Sequence, residues 1–276
     1  MEICVSVIIV NYNTKALTQQ CIDSVRAQTK DVSYEIILVD NASTDGSKEA
    51  FEQCEGLIYL YSPENLGFGR ANNLGFSKAA GKYLFLLNSD TILNNNAVKL
   101  FYDFMEAAPT DIACCGSLLR DQDMKIIHSY GRFHTFWNAI VEWYLVPYVG
   151  LFGMKFEKYD YPVSFSDGYA VVEFITGADL FVRREIAVKY GLFDPDFFMY
   201  SEDVELCRRY RDAGYKSVII ETPRIIHLVG SSYKENSERR NRMAINSLCL
   251  YMKKRMNRVA YALFRFIISQ KVKSAS

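Results

Sequence analysis

The sequence predicts an α/β fold: a doubly wound, mostly parallel sheet, followed by a basic amphipathic helical segment. Three observations carry this expectation. Short apolar runs alternate with amphipathic stretches four times within the first 90 residues, the pattern of strands buried on both faces and joined by crossover helices. Most of these runs end in polar residues, as expected where strands deliver ligand contacts to the carboxyl edge of a parallel sheet. Charge is also segregated. The 276 residues hold 32 Lys/Arg and 32 Asp/Glu, yet Arg239 to Ser276 contains ten basic residues and no acidic one, leaving residues 1–238 at a net −10.

The elements follow in order. Val5–Val10 is a β-branched run that reads as a buried strand, broken by Asn11-Tyr12-Asn13. Thr14 is a candidate cap for a helix with Leu17, Cys21 and Val25 at four-residue spacing. Glu35–Val39 is a second strand, ending at Asp40; Leu57–Tyr61 is a third; Tyr83–Leu87 is a fourth, ending in Asn88-Ser89-Asp90. Between them, Asn65-Leu-Gly67-Phe-Gly69-Arg70 is a glycine loop opening a helix. Composition shifts beyond residue 100: residues 130–169 hold 13 of the 39 aromatics. Glu173–Val182 returns to strand character, Ser201–Ala213 reads as a helix stopped by Gly214, and Lys216–Ile220 and Arg224–His227 read as strands. From Ser237 to Ser269 the pattern is helical.

Composition excludes several classes. Half the residues are hydrophobic, so the chain is not disordered. Zero net charge argues against a nucleic-acid partner. Seven scattered cysteines without a C-x-x-C point to reduced thiols and a cytoplasmic setting. No apolar run approaches the ~18–20 residues of a membrane span, and the N-terminus lacks the basic start of a signal peptide.

The residues that carry chemistry cluster at strand ends. A lone acidic residue there is as readily a helix cap, but Asn11, Asn13, Asp40, Asn88 and Asp90 in one half-domain favour a polar ligand. Gly67-x-Gly69 is not a dinucleotide fingerprint, because the next glycine, Gly75, stands six residues on. Asp90 suits a hard divalent ion that carries phosphate oxygens, and His227 ends a later strand. Glu202-Asp203-x-Glu205 opens a helix, where acidic residues favour the macrodipole. Three carboxylates in four positions also repel, which can raise the pKa of one toward that of a general base.

Taken together, VSVIIVNYNT (5–14), ILVDNASTDGS (37–47), NLGFGRANNLG (65–75), YLFLLNSDTIL (83–93), TGADLFVRRE (176–185), FDPDFFMYSEDVELCRRYRDAGY (193–215) and RIIHLVGSS (224–232) resemble family 2 glycosyltransferases of the GT-A fold. The similarity is greatest to bacterial rhamnosyltransferase-like enzymes of surface polysaccharide synthesis. It implies a Rossmann-like nucleotide-binding half (1–100) fused to an acceptor-binding half (101–236), with residues 237–276 as the basic helical segment. It implies that Val10, Asn11, Tyr12, Asn13 and Asp40 hold base and ribose, and that Arg70 approaches base or diphosphate. Asn88-Ser89-Asp90 then occupies the D-x-D position, with Asp90 and His227 as ligands of Mg²⁺ or Mn²⁺. Asn88 stands where the family has Asp, so it offers an oxygen without charge and can turn to the ribose. Gly177, Ala178, Asp179 and Glu202 would line the donor-sugar and acceptor site, Gly230 and Ser231 would lie near the diphosphate, and Asp203 would be the catalytic base with Glu202 as its competitor.

The implied reaction is an inverting transfer from a nucleotide diphospho-sugar, dTDP-rhamnose first and UDP-sugars next, to a saccharide or lipid-linked saccharide hydroxyl. A sugar-phosphate nucleotidyltransferase needs a glycine-rich loop after the first strand, and Asn11-Tyr12-Asn13-Thr14 has none. A non-catalytic nucleotide-sugar-binding or assembly subunit has no need of the acidic set at 202–205. A processive synthase is disfavoured by the missing spans and the missing Q-x-x-R-W. In the tail, Arg239, Arg240, Arg242, Lys253, Lys254, Arg255, Arg258 and Arg265 alternate with Leu248, Leu250, Tyr251, Met252, Tyr261, Leu263, Phe264, Phe266 and Ile267. That composition suits an anionic membrane surface, hence a peripheral location at the inner face of the cell membrane. The other reading is a helix packed on the catalytic body or on the second subunit of a homodimer.

Overall fold

The computed structural model describes residues 2–140, 162–228 and 237–274. The four apolar runs become β1 (Val5–Asn11), β2 (Tyr34–Asn41), β3 (Leu57–Ser62) and β4 (Tyr83–Asn88). They are joined by α1 (Lys15–Gln28), α2 (Ser47–Phe51) and α3 (Phe68–Phe76). All four strands pair in parallel in the order β3-β2-β1-β4. The register sets Asn11 beside Asp40 and Val10 beside Asn88, so the polar ends converge on one edge.

Beyond β4 come β5 (Thr91–Leu93), α4 (Ala97–Ala107), β6 (Ile112–Ser117), β7 (Tyr130–Gly131), α5 (Phe136–Ile140), β8 (Tyr169–Val172), β9 (Phe174–Ile175) and β10 (Asp179–Arg183). Next are α6 (Arg184–Tyr190), α7 (Glu202–Asp212), β11 (Lys216–Ile220), β12 (Ile225–His227), α8 (Ser237–Arg255) and α9 (Arg258–Ser274). The main sheet has eight strands, β3-β2-β1-β4-β10-β6-β11-β8, with β10 antiparallel to both neighbours and β8 antiparallel to β11. The expected strand at 173–182 is two strands in two sheets. Phe174–Ile175 pairs with β7, and the chain then crosses at Thr176-Gly177-Ala178 to enter the main sheet as β10. That crossing sets Ala178 against β4, with the Asn88 N–H donating to the Ala178 carbonyl at 3.0 Å.

Both faces of the sheet are buried at its central strands, while the edge strands β3 and β8 keep exposed residues. Ile9, Phe85 and Phe181 face α1 and α4, where Phe85, Phe101 and Phe181 pack at ring separations of 5.3–5.7 Å. Ile8, Leu86 and Leu180 face the opposite way, toward α3 and α7. Adjacent Cys114 and Cys115 lie inside β6, one on each face, and all seven cysteines are free.

The C-terminal segment is two helices rather than one. Asn257 starts the second, its carboxamide oxygen accepting the Ala260 N–H at 2.9 Å. Several residues expected to meet a membrane are spent on the body instead. Leu248, Tyr251, Met252 and Phe264 are buried in the same core as Leu180 and Val204. Lys254 bonds Asp194 and Asp196 at 2.6 and 2.7 Å, and Arg255 pairs with Asp212. The burial is physical: apolar side chains taken from water contribute about 1.5–3 kcal/mol each, whereas exposed ion pairs contribute about 0–1. Val259, Leu263 and Phe266 remain exposed on one face of α9. Of the aromatic-rich stretch, residues 141–161 lie outside the described residues, and no helix among the described residues is long and apolar enough to cross a membrane.

Candidate active site

A cavity of about 500 Å³ opens at the carboxyl ends of β1, β2 and β4. Of the expected nucleotide contacts, Val10, Tyr12, Asn13, Asn88, Ser89 and Asp90 line it. Asn13 adopts φ 55°, and its side-chain oxygen accepts the Thr44 N–H at 2.7 Å. Thr14 does not cap α1 with its hydroxyl. That hydroxyl donates to Asn11 Oδ1 at 2.9 Å and lies 3.1 Å from the Ser89 hydroxyl, tying the end of β1 to the N-x-D segment.

Three expected contacts stand elsewhere. Asn11 is fully buried, accepting from Thr14 and Thr18 and donating to Ser43. Asp40 is fully buried too, its two oxygens accepting from the Ser43 N–H at 3.0 Å and the Tyr59 hydroxyl at 2.8 Å. Neither lines the cavity. Both shape the loop that does, because a buried polar group must find partners and these found them locally. Arg70 points away as well, its Nε donating to the Pro195 carbonyl at 2.6 Å.

The wall residues missed within the first half are Thr14, Asn41, Thr44, Asp45, Asn65, Gly67 and Phe68, and from beyond it come Phe198, Met199, Arg239 and Met243. Asn41 accepts the Leu66 N–H and donates to Asn65, so the β2 end holds the glycine loop. Asp45 is partly desolvated, yet hydrogen bonds from Ser47 and the Lys15 N–H hold its carboxyl below the usual range, so it stays an anion. Gly67 has φ 81°, and a Cβ there would stand 2.2 Å from the Phe198 carbonyl oxygen, so only glycine fits.

His227 reaches Asp90 through strand pairing. β12 runs antiparallel to β5 with His227 opposite Thr91, which puts His227 Nε2 3.1 Å from Asp90 Oδ1. This pair fits a divalent ion. Asp90 lines the cavity and His227, which does not, touches the Asp90 carboxyl; one carboxyl oxygen beside one imidazole nitrogen would suit Mg²⁺ or Mn²⁺ completed by substrate phosphate oxygens and water. Among the described residues no group of three His, Cys, Asp or Glu forms a closed metal site.

The remaining expected site residues gather around α7 and the start of β10. Tyr200 and Ser201 both have left-handed φ (71° and 62°), local strain that turns the chain into α7. Asp203 is partly exposed; its oxygens accept the Val204 N–H at 2.8 Å and the Gly177 N–H at 3.1 Å. Gly177, which does not line the cavity, abuts the ring of Phe68, which does. Burial raises the Asp203 pKa, while those two N–H groups and nearby His128, which sequence reading missed, oppose the shift. Glu202 is buried, and its Oε2 has no hydrogen-bond partner among the described residues. Burial first, then the Asp203 charge, pushes its pKa up to about 8. Glu205 instead holds Arg209 one turn on, an ion pair at i, i+4 spacing.

Asp179 does not line the cavity. It is fully buried between β10 and β6 and accepts from the Ser117 N–H and hydroxyl at 2.8 and 2.6 Å. Burial pushes its pKa up to about 7 against those bonds and nearby His227. Ala178 is buried as well, and contributes its carbonyl to Asn88. Gly230 and Ser231 lie outside the described residues.

A parallel-sheet half with ligand groups at its carboxyl edge, an N-x-D turn and a strained acidic helix start defines a GT-A glycosyltransferase architecture. Residues 6–170 match the family model described as glycosyl transferase family 2, and the chain belongs to that family. The rhamnosyltransferase WbbL of Escherichia coli K12 is 27% identical over 232 residues, covering 81% of this chain and 83% of WbbL. Among solved structures, GalNAc-T7 with UDP, GalNAc and Mn²⁺ superposes with a TM-score of 0.67 at 16% identity, over 91% of this chain. This chain spans about half (48%) of GalNAc-T7. The mannosyltransferase PcManGT of Pyrobaculum calidifontis, in complex with GDP-Man and Mn²⁺, gives 0.64 at 16% identity, over 98% of this chain and 70% of its own. At these identities the structures share the fold.

The state of Glu202 yields a stability prediction. With a folded pKa near 8 against an ordinary 4.5, the native state holds a proton that the unfolded chain has lost in between. Wild-type stability therefore falls as pH rises through this window. Glu202→Gln removes that slope, so its melting temperature relative to wild type is expected to climb between pH 5 and pH 8.5. A difference that does not change with pH would show that Glu202 ionises normally.

Proposed function

We propose that this glycosyltransferase moves a sugar from a nucleoside diphosphate sugar to a hydroxyl of a saccharide or lipid-linked saccharide, with inversion, in cell-surface polysaccharide synthesis. The observation that carries the reading is the sequence of groups along one edge of the sheet. A cavity of nucleotide size is bounded by Asn88-Ser89-Asp90, with His227 on Asp90 and the Asp203 carboxyl beyond Phe68 and Gly177. The similarity to the rhamnosyltransferase WbbL supports rhamnose as the sugar moved, with dTDP-rhamnose as first donor candidate and UDP-sugars next.

Tyr12, Asn13 and Asn65 offer polar and aromatic surface to base and ribose. Asp90 and His227 would hold a divalent cation, which neutralises the leaving diphosphate when bound. Asp203, fixed by two backbone N–H groups, accepts the acceptor's hydroxyl proton as the oxygen attacks the anomeric carbon from the face opposite the diphosphate. The C–O bond to the diphosphate breaks as the new one forms, and alignment of the two substrates supplies much of the acceleration.

Three outcomes test the reading. Asp203→Asn is expected to lower transfer by about 10²–10⁴ with donor binding by calorimetry nearly unchanged, while Glu202→Gln keeps most transfer; the reverse pattern moves the base by one residue. Turnover is expected to stop in excess EDTA after dialysis and to return with Mg²⁺ or Mn²⁺; full activity in EDTA rules out the metal role of Asp90 and His227. The third concerns the membrane. Val259, Leu263 and Phe266 on α9, with exposed Trp137 on α5 and exposed Arg258 and Arg265, support docking to an anionic bilayer interface. Phosphatidylglycerol-containing vesicles are expected to float the protein, and a triple Ser variant at 259, 263 and 266 to stay behind. Equal flotation with neutral vesicles, or none, removes the electrostatic docking.

A further inference from the structure

We infer that Arg239, in the first turn of α8, binds the diphosphate of the donor, so that the C-terminal segment forms one wall of the donor site. This role deepens the donor-site reading above and stands only if that reading does. Arg239 and Met243, four residues apart and so on one helix face, both line the cavity. Asp45 and Asp90 also line it, and among the described residues of its wall Arg239 is the only cation. The negative charge of a nucleoside diphosphate sugar sits on its diphosphate. Bringing that charge into a cavity already bordered by two carboxyl groups requires positive charge from the wall. A divalent ion on Asp90 and His227 would answer at one side. The guanidinium supplies the rest, with a planar fork matched to phosphate oxygens. The α8 N-terminus stands at the same end of the helix, and its N–H groups add to the favourable potential.

Arg239 is carried on a fixed element. Eight residues on, about 12 Å along the helix, the Ser247 hydroxyl donates to the Met199 carbonyl at 2.6 Å, and Met199 itself lines the cavity. Below that, Tyr251 and Met252 are buried, and Lys254 bonds Asp194 and Asp196. The helix that presents Arg239 is thereby docked on the loop that leads into α7.

Calorimetry on the full chain with Mg²⁺ tests the role, using UDP, dTDP, uridine and thymidine as probes. Arg239→Ala is expected to weaken whichever diphosphate the wild type binds by about 10- to 100-fold, with the matching nucleoside held within about twofold. Arg239→Lys should recover part of the loss, and the KM for donor should rise more than kcat falls. Diphosphate affinity in Arg239→Ala within about twofold of wild type overturns the role and leaves the donor site standing. A parallel loss for nucleoside and diphosphate also overturns it, because Arg239 would then merely hold the helix in place. If the wild type binds neither diphosphate, the donor-site reading falls and takes this role with it.

Discussion

The close approach of Gly67 to the Phe198 carbonyl joins the two halves of the molecule. The Phe68 N–H donates to that same carbonyl at 2.8 Å, at the start of α3. The contact is possible only because residue 67 lacks a Cβ and adopts a left-handed φ. One residue later, Met199 faces the cavity and accepts Ser247 of α8. Tyr200 and Ser201 then turn the chain into the acidic helix. A single short loop therefore touches the glycine loop beside the cavity, carries the acidic helix and receives the C-terminal segment. A shift of this loop would move all three together, because each is held by a hydrogen bond or a buried contact and not by a flexible linker.

The segregation of charge in the sequence has two physical outcomes in the fold. Part of the basic tail neutralises the acidic body directly: Lys254 meets Asp194 and Asp196, and Arg255 meets Asp212. These pairs are partly exposed, and such pairs contribute little each. They fix the register of α8 more than they hold it down, since the apolar burial of Tyr251, Met252 and Phe264 stabilises the docked segment more strongly. The remaining cations divide by position. Arg258 and Arg265 face solvent beside the exposed apolar stripe of α9, while Arg239 faces the cavity at the other end of the segment.

Local signals made the N-terminal, all-parallel half legible. Strands buried on both faces read as unbroken apolar runs, and the polar residues that interrupt them mark the ligand edge; β1 to β4 and the N-x-D turn follow from that alone. What stayed hidden depends on which side of a turn a polar atom faces. Asp40 ends a strand as Asp90 does, yet Tyr59 on the neighbouring strand captures one and the cavity receives the other. Arg70 follows the glycine loop, but Pro195, distant in sequence, offers a nearer acceptor. Strand β6 escaped because Ile-Ala-Cys-Cys-Gly-Ser lacks a bulky β-branched run; burial between β10 and β11 makes it a strand. The helical period of 237–269 is plain in the sequence, but not the face that the body would cover.

The paired carboxyls at the start of α7 illustrate how environment assigns roles that residue type leaves open. Two ionised groups side by side at low dielectric repel, so one proton retained by the pair lowers its energy. Glu202 is the better place for that proton. It is buried, its Oε2 lacks a hydrogen-bond donor among the described residues, and ionising it would leave a charge unsolvated. Asp203 is the better place for the charge, because two backbone N–H groups point at its oxygens and it keeps contact with solvent. A neutral Glu202 removes the repulsion that would otherwise push the Asp203 pKa further up. Environments that separate two neighbouring pKa values divide the labour between the groups. Here the division leaves Asp203 as the charged member of the pair, the one proposed above as the base, and Glu202 as the residue whose protonation keeps it so.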